Sequence, residues 1–244
     1  MGWKVSLIII ENEKNFANEF ALLKAIGKPK YRFDREWRLV DCISPDDKSI
    51  SIGYYNGNLI ISDGYQITNN SLEGKDFLNL TREENELVSL FPNSEIITIA
   101  CHSAINYHAY SLISKSVKRR LKIATPNEFI EYGERFEEEN AIYSKANFES
   151  NEVYWIDENY DEKLTEDQLM EEFTFKIAER RLGVLLEDAD ELLERTKFRK
   201  YVPSNQVQQT KNRQVKISKE SLKWIKYGVI LLLIMIWQIL KRKI

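Results

Sequence analysis

Apolar residues recur along this chain with three different rhythms. From Lys4 to Ile10 they run nearly without a break and are rich in β-branched types, which predicts a buried strand. Between Asn15 and Gly27 they change period: Phe16, Ala17, Phe20, Leu23 and Ile26 fall at helical spacing, and Gly27-Lys28-Pro29 stops the helix. Trp37 to Ile43, Ser49 to Tyr55 and Asn58 to Ser62 then read as three short strands, the last two joined by an Asn56-Gly57 turn suited to a tight hairpin. Thr81 and Glu84 form a capping box ahead of Leu87, Leu90 and Phe91, which predicts a short amphipathic helix ending before Pro92.

A second strand group is expected at Glu95 to Ala100, Tyr107 to Ile113 and Val117 to Ala124, followed by a helical turn within Pro126 to Gly133. From Glu134 to Asp161 the periodicity is lost and loops are expected. Helix returns after Thr165, with Leu169, Phe173, Ile177, Arg181 and Val184 on one stripe, and again from Asp188 to Lys197. Together these elements predict an α+β fold, a mainly antiparallel sheet with helices packed on one face, over residues 1–201.

The third rhythm is an apolar run on every side of a helix, from Tyr227 to Leu240, interrupted only by Gln238. Such a helix needs burial in protein or lipid. A polar segment, 202–221, rich in Gln, Asn, Lys and Ser, precedes it and reads as a flexible basic tether. A full span needs about twenty residues. The expected anchor is therefore 222–240, with Lys223 and Lys226 snorkelling, Trp224 and Tyr227 at one interface, Trp237 near the other, and Lys241, Arg242 and Lys243 in a basic tail, 241–244. More basic residues precede the helix than follow it, so a single-pass protein with its N-terminal domain in the cytoplasm is expected. The bilayer is thus the first expected partner, and the tether lysines suit anionic lipid headgroups.

Net charge is only -3, but acidic residues crowd Glu128 to Glu172 while the basic ones gather near the C-terminus. The acidic bias speaks against nucleic-acid binding by the domain. Cys42 and Cys101 stand far apart without CxxC spacing, which suggests a reducing compartment and no disulfide framework. Met1-Gly2-Trp3-Lys4-Val5-Ser6 matches a loose myristoylation pattern, although the same residues read better as the opening strand.

Chemistry is sparse. Cys101-His102-Ser103 gathers a thiol, an imidazole and a hydroxyl, but on a strand Cys101 and Ser103 would share one face and His102 the other. His102 and Ser103 are kept as the catalytic candidates, against a structural role at the strand end. The only histidines are His102 and His108, and no HExxH or paired CxxC occurs, so no zinc site and no cofactor are expected. Asp157, Asn159 and Asp161 match the opening ligands of a calcium loop, but Glu162 stands where glycine is needed and Gln168 where a bidentate Glu belongs. A solvated acidic loop is the competing reading. Arg119 and Arg120 alternate on a strand, and one of them is expected to reach the acidic region as an ion pair of the surface kind, which carries little energetic weight.

The stretch Cys101-His102-Ser103-Ala104-Ile105-Asn106-Tyr107, the Met-Gly start running into a strand, and Gly133-Glu134-Arg135 resemble an uncharacterised bacterial family, a domain of unknown function known from actinobacteria. That family has His-Ser-x-x-Asp-Trp, so Asn106 and Tyr107 depart from it. The resemblance implies an α+β fold and a bacterial source, hence the inner cell membrane, and no mechanism. The functional expectation is a binding or adaptor module with a protein partner at the membrane. The alternatives are a membrane-tethered hydrolase using His102 with nearby carboxylates, and an immunity or defence component.

Overall fold

The computed structural model describes residues 2–43, 48–73, 77–149, 152–157 and 161–205. In chain order the strands and helices are β1 (Lys4–Glu11), α1 (Glu19–Ala25), β2 (Tyr31–Arg38), α2 (Leu39–Cys42), β3 (Ile50–Tyr55), β4 (Asn58–Ser62), α3 (Thr68–Leu72), α4 (Arg82–Leu90), β5 (Ile96–His102), β6 (Tyr107–Ser114), β7 (Val117–Ala124), β8 (Phe129–Gly133), α5 (Glu137–Tyr143), β9 (Asn147–Glu149), β10 (Glu152–Asp157), β11 (Glu162–Leu164), α6 (Met170–Leu182) and β12 (Lys197–Pro203). Nine strands form one sheet in the order β2-β12-β3-β4-β1-β5-β6-β7-β8, and β11-β10-β9 form a small second sheet. The α+β class and the largely antiparallel pairing agree with the sequence pattern.

The placement of the helices does not. β1 is central and buried from Val5 to Ile10. Successive strand side chains point to opposite faces, so an uninterrupted apolar strand needs cover on both. Val5, Leu7 and Ile9 join a core with residues of α2, α5 and α6. Ile8 and Ile10 join another with Leu22 and Leu23 of α1 and Leu87 of α4. Helices therefore cover both faces of the sheet, which corrects the one-face expectation.

Local signals hold up well. Asn18 caps α1, its side chain accepting from the Ala21 N–H at 3.0 Å, and α4 carries the Thr81–Glu84 capping box. Asn56 and Gly57 have φ of 46° and 72°, the left-handed pair that a two-residue hairpin needs.

Several segments differ from their reading. Tyr31–Arg38 is an edge strand, and Leu39–Cys42 a short helix rather than the body of a strand at 37–43. Phe129–Gly133 is β8, an edge strand and not a helical turn. The acidic region holds α5 and the small sheet, because Ile142, Tyr143 and Trp155 bury themselves against Phe173 of α6. The helix expected at 188–197 is a π-helical segment, Glu191–Arg195, leading straight into β12. β12 occupies the first residues assigned to the tether, because Phe198 packs against the side-chain-free face of Gly53. One compact unit spans Met1–Val202.

Arg120 is not on the surface. A bulge in the β6–β7 ladder at Leu112/Ile113 turns Lys118 and Arg120 to different core regions. Arg120 donates to both oxygens of Glu139, at 3.0 and 2.8 Å, and to Glu131 at 2.7 Å. Lys118 meets Glu84 at 2.8 Å, and Lys122 meets Glu166 at 2.5 Å and the Tyr143 hydroxyl at 2.9 Å. Three of the four cations of β7, Lys118, Arg120 and Lys122, are buried and each is paired with an acid from outside the strand, while Arg119 is exposed.

No helix among the described residues is long and apolar enough to cross a membrane. The anchor expected at 222–240, with Trp224, Tyr227, Trp237 and the flanking lysines and arginine, lies outside the described residues.

Candidate functional site at the end of strand β5

β5 and β6 form a hairpin in which Cys101 stands opposite His108 and His102 opposite Tyr107. The connection is a single 3-10 turn, Ser103–Ile105, closed by Asn106 in the left-handed region at φ 49°, ψ 46°. Asparagine tolerates that conformation because its short side chain can hydrogen-bond locally. The strand alternation expected from sequence holds here: Cys101 and Ser103 share one face, and His102 lines a cavity with a different set of residues.

On the first face, Cys101 Sγ lies 3.6 Å from Ser103 Oγ and 3.9 Å from Glu171 Oε2. The Ser103 hydroxyl donates to Glu171, and its oxygen accepts the Trp3 N–H at 2.9 Å. Ser103 N–H in turn donates to the Trp3 carbonyl at 2.9 Å, which pins the turn to the start of β1. The ligand-type atoms of Cys101, His108 and Glu171 all fall within 4.8 Å of one another.

Cys101 is fully buried and His108 is 4% exposed. Burial pushes the Cys101 thiol up to about 12, with the Ser103 hydrogen bond working the other way. A thiol so placed is protonated at neutral pH and is a poor nucleophile. Burial likewise lowers the His108 imidazole, opposed by the Glu171 charge. The trio is a cohesive polar group inside the protein, not an exposed catalytic nucleophile.

On the second face is an open cavity of about 340 Å³, lined by Lys4, Tyr65, Asn69, Glu73, His102, Ile105 and Tyr107. Its polar groups are unusual: His102 Nδ1 and Asn69 Oδ1 are shielded from water and have no hydrogen-bond partner. Buried polar atoms are ordinarily paired, so each such atom calls for an explanation. Tyr107 is raised by burial first and then by the nearby Glu73 charge. Tyr65 donates from its hydroxyl to the Cys101 carbonyl at 2.5 Å, linking the cavity wall to the other face of β5. At the rim, Ile105 is 58% exposed.

Of the residues singled out by sequence, His102 and Ser103 therefore lie at one corner but face apart. Among the described residues His102 makes no hydrogen bond to a carboxylate. Asp157 pairs with Glu162 across the β10–β11 hairpin, Asp161 sits in its turn at φ 53°, and Asn159 is outside the described residues. His108 and Glu171 were not foreseen. The near-symmetric placement of Cys101 and His108 about the Ser103–Asn106 turn was the available signal for His108, whereas Glu171 arrives from α6 with no local cue. Comparison with protein-family models, with curated proteins and with solved structures gives no match.

Proposed function

We propose that this protein is a binding or adaptor module held at the cytoplasmic face of a bacterial cell membrane by its 222–240 helix, and that the cavity beside His102 is its recognition site. One observation carries the choice of site: His102 and Asn69, each with a side-chain atom that has no hydrogen-bond partner, line an open cavity whose charged walls are Lys4 and Glu73. A preformed concavity lined by a few polar groups is the usual form of a binding site. The exposed Ile105 at its edge adds apolar area of the kind that partners cover. The membrane part of the proposal rests on the apolar run, its aromatic and basic flanks and the tether. The resemblance to the uncharacterised bacterial family supplies the bacterial source in the same proposal.

The hydrolase reading is weaker because it requires a carboxylate-oriented His102, and Ser103 is committed to Glu171 on the opposite face. The discriminating experiment captures partners of the full-length protein from detergent-solubilised source membranes, in wild type and in Ile105→Asp and Asn69→Ala variants. The expected result is a partner lost from both variants while their far-ultraviolet circular dichroism is unchanged. Turnover on a hydrolase substrate panel, abolished by His102→Ala, would overturn the proposal. Membrane attachment is checked by a carbonate wash, which should leave the full-length protein in the pellet. Release to the supernatant would remove the spanning anchor.

A further inference from the structure

We propose that Cys101, His108 and Glu171 form a binding site for a divalent transition metal of the zinc type. The inference is independent of the His102 cavity, which lies on the other side of β5. Three elements distant in sequence, β5, β6 and α6, bring a thiol, an imidazole and a carboxylate together with their ligand atoms within 4.8 Å. Sulfur, nitrogen and oxygen donors in this combination are what zinc takes up, and three protein ligands leave a fourth position for water or an exogenous group.

The sulfur-to-oxygen distance is close to the one a bound ion requires. With Zn–S of about 2.3 Å and Zn–O of about 2.0 Å at tetrahedral angles, sulfur and oxygen ligands sit about 3.5 Å apart. Cys101 Sγ and Glu171 Oε2 are 3.9 Å apart, so a few tenths of an ångström of side-chain movement brings this pair to the bound spacing, and closure of the whole group from within 4.8 Å takes about 1 Å of further side-chain movement. The competing account is a metal-free cluster, in which 3.9 Å is a weak thiol-to-carboxylate hydrogen bond. That account leaves His108 Nδ1 buried without a hydrogen-bond partner, and coordination through that nitrogen would satisfy it.

The surroundings suit the ion as well. Ser103, fixed by its two backbone contacts with Trp3, holds the Glu171 carboxylate through its hydroxyl. Such hydrogen bonds to a ligand orient it and tune its affinity. Binding replaces the thiol proton, which leaves to solvent, by the cation. A thiolate and a carboxylate then offset the two positive charges, so the buried site is neutral overall. Glu171 also lines a cavity of about 330 Å³ with Glu172, Lys176 and Glu187, so one of the three ligand residues borders an opening that carries acidic side chains.

The test uses the full chain in mild detergent, stripped with chelator and titrated with Co²⁺, then Zn²⁺. The expected result is a thiolate-to-cobalt charge-transfer absorption that saturates at one ion per chain, is bleached by Zn²⁺, and accompanies a rise in the thermal midpoint. Cys101→Ser should abolish the absorption, and Cys42→Ser, altering the only other cysteine, should leave it. Glu171→Gln should weaken Zn²⁺ binding by about 10-fold or more with its unbound circular dichroism unchanged. Absence of both the absorption and the thermal shift in a folded wild-type protein would overturn the proposal, as would an absorption that survives in Cys101→Ser.

Discussion

Replacing Glu139 by Leu tests whether the buried charges of β7 hold the fold together as a set of pairs. Glu139 is 0% exposed and Arg120 2% exposed at the side chain, so neither charge is solvated. The substitution removes the acceptors of two Arg120 hydrogen bonds, those at 3.0 and 2.8 Å, and leaves the guanidinium with Glu131 at 2.7 Å and the Gly133 carbonyl at 3.1 Å. Hydrogen bonds to charged groups contribute about 1.5–3 kcal/mol each, and breaking a buried pair by removing one partner costs about 3–5 kcal/mol. Because Glu131 remains, the lower part of that range is expected, about 3–4 kcal/mol. The double variant Arg120→Met/Glu139→Leu removes both charges and fills the space with apolar atoms, so it should lie within about 1 kcal/mol of wild type. Pulse proteolysis across a urea series reads the folded population of the domain in full-length protein. A cost below about 1 kcal/mol for Glu139→Leu, or a double variant as unstable as the sum of the singles, would refute the pairing argument.

Three further outcomes follow from single contacts. A Cβ at position 53 would stand 2.7 Å from ring atoms of Phe198, so Gly53→Ala should destabilise by about 1–3 kcal/mol, measured by urea titration, and adding Phe198→Leu should recover part of the loss. Thr81→Ala removes the hydroxyl that caps α4 and should cost about 1 kcal/mol, with faster amide exchange at Glu84, whose N–H it accepts. Burial works to raise Glu131, but the hydrogen bond and charge of Arg120 outweigh it and hold the carboxyl below its usual 4.5. The unfolded chain then binds the proton first on acidification, so this contribution is present above pH 4.5 and lost as pH falls through the depressed value. Stability profiles of wild type and Glu131→Gln should therefore converge below that point, and parallel profiles would contradict the assignment.

What could be read from the chain was whatever a few neighbouring residues decide. The Asn56-Gly57 hairpin, the Thr81–Glu84 capping box and the β-branched run of β1 each needed no distant partner. The run of β1 even carried the evidence for a two-sided core, since Leu7, Ile8, Ile9 and Ile10 cannot all face one layer; amphipathic helices, however, do not declare which face they will cover. β8 was missed because an edge strand with Phe129 and Tyr132 in solvent has no alternation to show, and β12 because its lysines and arginine disguised Phe198. Arg120 and Lys122 fail any surface rule for charges, since Glu131 and Glu139 for the first and Glu166 for the second, all from outside β7, make their burial tolerable. The same division runs through the candidate site. Strand alternation alone separates His102 from Cys101 and Ser103, and this local inference placed them on the correct opposite sides. Bringing His108 to Cys101 requires the β5–β6 register, and bringing Glu171 requires α6 to pack across β5, so the Cys-His-Glu group exists only once the sheet and its covering helix are assembled. A metal bound there would tie β5, β6 and α6 at one point, and its binding energy would add to the stability of the assembled fold.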